Sequence, residues 1–255
     1  MSEVIDGKLR ELYGSLFSLT DPINIESGLR SGALVSHSAD SGIHYEESNF
    51  RLMYVGRDLN GWEPLTGNNV DELVENVLTN GRTKRFLSDA VHSPQYRDEN
   101  TNELLYSINK SRFWQICKEV MYRAGEIENW AEKIVWSNVY KVTYQRGRRG
   151  AHWDLVCETF EPCLEILRYE LEVFKPNHVV FVTGTDYFLP RDLGISFRPV
   201  FSLEHDPVDF DVISKGIYTD NSGHKIKMVA VNRPEITKGT NTEKADKIME
   251  AFNSL

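Results

Sequence analysis

The amino-acid sequence predicts an α/β fold: three layers, α/β/α, around a central, mostly parallel sheet of about four strands. Three observations lead there. Four short runs are apolar almost throughout, Phe50–Gly56, Ile134–Tyr140, His178–Val182 and Ile226–Val231. Continuous apolar runs of this length are how strands covered on both faces read. The segments between them carry apolar residues at helical spacing, the alternation expected of a parallel sheet with crossover helices. Finally, 255 residues with 40% hydrophobic and 26% charged content suit a single α/β domain over residues 1–255 and exclude a disordered chain.

The elements follow in order. Val4, Ile5, Leu9, Leu12 and Leu16 predict an N-terminal amphipathic helix. Residues 20–48 are rich in Ser, Gly and Asp and predict a connection, so the core spans 49–255. Phe50–Gly56 is the first strand, and the turn formers of GRDLNGWEP make the next segment a loop. Val70, Leu73, Val74, Val77 and Leu78 form the stripe of a helix capped by Asn69 or Asp71. Residues 81–110 form a polar insertion. A second helix runs from about Ser111 to Gly125. Ile134–Tyr140 is the second strand and opens into a basic loop. A helix over Cys157–Phe174 carries Phe160, Leu164, Leu167 and Leu171, and Pro176 stops it. His178–Val182 is the third strand. Phe197–Leu203 is an edge element, and 204–225 a polar excursion. Ile226–Val231 is the last strand, and Glu243–Phe252 a closing helix.

The net charge of -9 excludes indiscriminate attraction to DNA, RNA or anionic membrane, so any nucleic-acid site must be a local basic patch. Three cysteines, Cys117, Cys157 and Cys163, show no CxxC spacing, which argues against a disulfide scaffold or a cysteine-rich zinc site and suits buried thiols in a reducing compartment. The charged N-terminal segment has no apolar signal core, and no run reaches the length of a membrane span. The expectation is a cytoplasmic protein without a membrane partner. His205, Asp206, Asp209 and Asp211 fit no ligand spacing, so no metal and no other cofactor is expected. The absence of GxSxG and of a P-loop disfavours a nucleophile-elbow hydrolase and a Walker-type NTPase.

In parallel α/β sheets ligands bind beyond the carboxyl ends of the strands. Here those ends open into GRDLNGW, SNVYK, TGTDY and NRPE. Asp58 is a carboxylate, Arg233 a permanent cation, and Asn138 an amide that can both donate and accept. Trp62 and Tyr140 are neighbouring aromatics, and Gly56 and Gly61 allow close backbone approach. Lys141, Arg146, Arg148 and Arg149, interleaved with Tyr140, Tyr144 and Trp153, form the clearest basic cluster. Lys238 follows NRPE and adds a cation.

This loop pattern resembles the uracil-DNA glycosylase-like superfamily, as a divergent branch. That family carries GQDPYH after one strand, LLLN at the end of another and HPS after the last. Here GRDLNG spans Gly56–Gly61, WSN spans Trp136–Asn138 and VNRPE spans Val231–Glu235. The resemblance implies hydrolysis of a nucleobase N-glycosidic bond in DNA, and hence DNA repair. By the same resemblance Asp58 positions water, Asn138 reads the base edge, and Arg233 stands at or beside the histidine that stabilises the leaving base. Gly56 and Arg57 line the base pocket, Asn60 lies in the same base-binding loop, and Trp62 is the candidate stacking aromatic. Lys141, Arg146, Arg148, Arg149 and Lys238 would grip phosphates. The family's Pro-Tyr-His is replaced by Leu59, Asn60 and Gly61, so its thymine-excluding tyrosine is missing, and its catalytic histidine is missing as well. The alternative is a catalytically inactive protein that retains the pocket and binds nucleic acid or nucleotide.

Overall fold

The structure is a computed structural model and describes residues 3–20, 34–36, 38–57, 65–83, 96–97, 104–106, 110–144, 153–184, 198–199, 212–220, 222–235 and 237–255. It is an α/β protein with a mixed sheet. The chain divides into two compact units, each assembled from three segments: Met1–Ala39, Gly56–Lys84 and Ser137–Phe174 in the first, Asp40–Val55, Arg85–Trp136 and Lys175–Leu255 in the second.

The first unit is helical. Helices α1 (Glu3–Thr20), α2 (Val70–Thr83) and α4 (Trp153–Phe174) pack together, α1 against both of the others. Their stripes meet as the periodicity requires: Leu9, Leu12, Leu16 and Phe17 from α1, Leu73, Val74 and Val77 from α2, Leu164, Leu167 and Leu171 from α4 are all buried. Of the two cap candidates for α2 it is Asn69 that serves, its side chain accepting the Glu72 N–H at 2.9 Å. Strands β1 (Leu34–Ser36) and β7 (Val142–Tyr144) pair antiparallel in the same unit. Helix α4 starts at Trp153, one turn earlier than the spacing of its buried residues predicts. Pro162 lies inside it, where its ring replaces a helix N–H donor.

The second unit holds the sheet apart from Gly56, Ser137 and Asn138, the last residues of two of its strands, which belong to the first. The strands are β2 (Asp40–Ser41), β3 (Leu52–Gly56), β6 (Ile134–Asn138), β8 (His178–Val182), β9 (Arg198–Pro199), β10 (Val212–Thr219) and β11 (Lys225–Val231), in the order β2-β6-β3-β8-β11-β10-β9. The four apolar runs of the sequence are β3, β6, β8 and β11, and all but the edge of β8 and the start of β11 are buried. β8 and β11 run parallel, whereas β2 on β6, β10 on β11 and β9 on β10 are antiparallel. The sheet is therefore larger and more mixed than four mostly parallel strands.

The addition that matters is β10. Residues 204–225 read as a polar excursion, yet Val212–Thr219 form an eight-residue strand zipped to β11. Its one exposed face brings polar residues into the run and hides its period. The hairpin closes through Asp220, whose carboxylate accepts from Ser222 and His224, and Gly223, whose φ of +84° a side chain would oppose. The polar insertion holds a short antiparallel pair, β4 (Tyr96–Arg97) with β5 (Leu104–Tyr106). Helix α3 (Arg112–Arg123) packs on α5 (Asn241–Asn253), and α5 lies on β10 and β11. α5 begins with a capping box between Thr240 and Glu243.

Candidate functional site

In the first unit the chain leaving β3 meets the chain leaving β6. The Val139 N–H donates to the Gly56 carbonyl and the Tyr140 N–H to the Arg57 carbonyl, each at 2.9 Å. Gly56 is buried and Arg57 half-buried. Asn138 sits at the end of β6 with 6% of its surface exposed, and no described residue hydrogen-bonds its side-chain amide. The amide offers both a donor and an acceptor, the pair of groups that a base edge would match. Asp58, Asn60 and Trp62 belong to residues 58–64, outside the described residues.

The basic cluster loses its first member. Lys141 is completely buried, with Nζ 2.6 Å from Glu170 Oε2 and 2.6 Å from Ser137 Oγ. An ammonium engaged in the interior cannot grip a phosphate, so its assignment to nucleic-acid contact is corrected. Arg146, Arg148 and Arg149 lie outside the described residues. Tyr140 is also interior, its ring 6.4 Å from that of Phe160, so it packs the unit and is no stacking platform. Ser137 closes the cluster by donating to Glu170 Oε2 at 2.7 Å. Cys163 accepts the Lys141 N–H at 3.3 Å, and burial pushes its thiol up to about 11. Burial, and then the Glu170 carboxylate, raise the Tyr13 hydroxyl well above its usual range.

In the second unit the loop after β11 carries Arg233. The Gly184 N–H donates to the Val231 carbonyl at 3.2 Å, bringing the exit of β8 beside this loop. The Arg233 stem lies against Gly184, where an added Cβ would stand 3.5 Å from Cγ. Among the described residues no carboxylate forms an ion pair with Arg233. Lys244 of α5, buried to 1% exposure, donates to the Pro234 carbonyl, the Thr237 carbonyl and the Thr237 hydroxyl at 2.9 to 3.1 Å. Arg112 of α3 donates to the Thr237 and Gly239 carbonyls. Burial and the Arg112 charge bring the Lys244 ammonium down to about 8. Lys238 in the same loop is exposed.

Ser137, Glu170, Arg112 and Lys244 are missing from the sequence reading. Glu170 had a legible signal: it occupies the buried stripe of α4 at helical spacing from Cys163, Ile166 and Leu167, where an acid needs a partner. Lys244, one residue after the Glu243 cap and before the buried Ala245, offered no comparable sign. Of the cysteines, Cys117 and Cys163 are buried, while Cys157 faces solvent. Among the described residues no group of His, Cys, Asp or Glu is disposed to hold a metal ion, and His205 to Asp211 lie outside them. No helix among the described residues is long and apolar enough to cross a membrane. No protein-family model matches this chain, and no curated protein matches it.

Proposed function

We propose that this protein is a uracil-DNA glycosylase-like enzyme of three-layer α/β/α architecture that hydrolyses a nucleobase N-glycosidic bond in DNA. The observation that carries the reading is Asn138: an amide that no described residue hydrogen-bonds, 6% exposed, at the end of β6, where the next two residues donate to the Gly56 and Arg57 carbonyls. In the reaction the bond from the sugar carbon to the base nitrogen breaks, and the base departs with the bonding electrons. Asp58 orients the water, whose oxygen bonds to the sugar carbon while its proton is taken up by the carboxylate. Arg233 offsets the charge on the departing base and leaves protonation to solvent, because a guanidinium does not titrate at neutral pH. Asn138 reads the base edge once the nucleotide is extruded. Gly56, Arg57, Asn60 and Trp62 complete the base contacts. Arg146, Arg148, Arg149 and Lys238 supply phosphate contacts on an otherwise acidic body, giving affinity that falls with salt. The protein acts in the cytoplasm.

The replacement of the family's tyrosine and histidine favours a second reading, a pocket that binds without cutting. One experiment separates the two. Purified protein is incubated with single- and double-stranded oligonucleotides containing one uracil, and abasic product and binding are both measured. Release of uracil that disappears in Asp58→Asn supports the enzyme. Salt-sensitive binding without release supports the binder. Neither binding nor release rejects both.

A further inference from the structure

We propose that Lys141 and Glu170 form an internal clasp that positions Asn138 for recognition of the base. This deepens the reading of Asn138 as the base-recognition amide and rests on it. The clasp spans the end of β6 and the start of the segment that leads to β7. Ser137 and Lys141 bracket Asn138, Val139 and Tyr140, and Lys141 Nζ reaches back to Ser137 Oγ at 2.6 Å. Both groups then converge on one oxygen, Glu170 Oε2, at 2.6 and 2.7 Å. The clasp thus ties both ends of this segment to helix α4.

The backbone of the segment is held as well. The Lys141 N–H donates to Cys163 Sγ, the Lys141 carbonyl accepts from Ser36 Oγ, and Val139 and Tyr140 donate to the chain leaving β3. The side chains of Ser137 and Lys141 and the backbone N–H groups of Val139, Tyr140 and Lys141 are engaged within the unit, and the Asn138 carbonyl accepts from Ser137 Oγ at 3.5 Å. The amide of Asn138 is the group that this scaffold leaves available.

As a source of stability the clasp is a poor choice. Two charges are removed from water, Lys141 is 0% and Glu170 2% exposed, and Glu170 Oε1 is buried with no hydrogen-bond partner among the described residues. An apolar pair of similar volume would fill the same space without that desolvation cost. What the ionic pair adds is directional: a short, charge-assisted contact admits one geometry of the segment, whereas apolar contacts admit several. Positioning is the service that a geometry of this kind performs best, and Asn138 is the residue between the clasped ends whose side-chain amide no described residue hydrogen-bonds.

The test uses the full chain with a neutral replacement, Lys141→Met/Glu170→Gln, in which the amide can still accept from Ser137 while the clasp to Lys141 is gone. Helical circular dichroism establishes that the variant folds, and Lys141→Met/Glu170→Leu serves if it does not. Hydrogen exchange is followed at the Val139 and Tyr140 amides, and uracil release is measured on a uracil-containing oligonucleotide. The expected result is faster exchange at these two amides with unchanged exchange in α1 and α4. Release should fall about 100-fold in kcat/KM, the size of effect that a slight misplacement produces. The loss should be largely in KM, because recognition is what is misaligned, whereas a general loss of folded protein would lower the active fraction at unchanged KM. Unchanged exchange in a folded variant overturns the clasp whatever the catalysis does. Faster exchange at the two amides in a protein whose wild type releases no uracil supports the clasp and overturns the glycosylase reading alone.

Discussion

Lys141 Nζ lies 2.6 Å from Glu170 Oε2, and both side chains are sealed from solvent. Removing one partner strands the other charge in the interior. Lys141→Met alone is expected to lower unfolding free energy by about 3–5 kcal/mol, whereas Lys141→Met/Glu170→Gln should recover most of that loss. Urea denaturation of the three proteins measures both values. Equal losses in the single and double variants would show that the stranded Glu170 carboxylate is not what costs stability.

A second buried carboxylate governs acid stability. Burial on its own would raise the Glu126 carboxyl, but Lys133, Ser48 and the Asn49 N–H outweigh it and hold the group below the usual glutamate range. Lys133 Nζ is 2.7 Å away, and Ser48 Oγ and the Asn49 N–H are each 3.0 Å away. With a folded pKa below the unfolded one, the contribution is complete above the unfolded value and is lost as pH falls through the folded value. Glu126→Gln should therefore cost about 1–3 kcal/mol at neutral pH and progressively less below about pH 4. Denaturation curves at both pH values check this, and a gap that does not close in acid would remove the carboxylate from the account.

The opposite end of the pH scale belongs to Lys244. Its folded pKa of about 8 lies below the ordinary 10.5. Between those values the unfolded chain holds the proton more tightly, so stability rises with pH across that window and the penalty is greatest below it. The thermal midpoint of the wild type should climb relative to that of Lys244→Met between about pH 8 and pH 10. A constant difference between the two would mean that Lys244 titrates as it does in the unfolded chain.

Arg233 predicts a pH profile that an ordinary glycosylase histidine would not give. If the guanidinium faces the leaving base, Arg233→Ala should lower the rate of uracil release by about 100- to 1000-fold. Arg233→His should restore part of that rate only below about pH 6.5, where imidazole is charged, and introduce a limb absent from the wild type. Rate–pH profiles of the three proteins decide it, and an unaffected rate in Arg233→Ala would exclude a role in the chemistry.

The amino-acid sequence by itself determined the four central strands and most of the helices. Burial on both faces writes an uninterrupted apolar run into β3, β6, β8 and β11, and one-sided burial writes the stripes of α1, α2 and α4. It also put Asn138 at the end of one strand and Arg233 just after another, because strand ends are visible as the points where apolar runs stop. Tertiary structure alone decided what the charged residues do. Lys141 reads as one cation of a basic loop, and only a carboxylate 29 residues later on a packed helix turns it inward. Lys244 reads as part of a polar helix, and only the fold places the carbonyls of Pro234 and Thr237 over its ammonium. β10 was hidden for the same reason, since its strand character depends on β11 as a partner. Local periodicity records how much of a residue is buried. The partner that makes burial of a charge tolerable is supplied by chain segments far away in sequence, and no local pattern carries it.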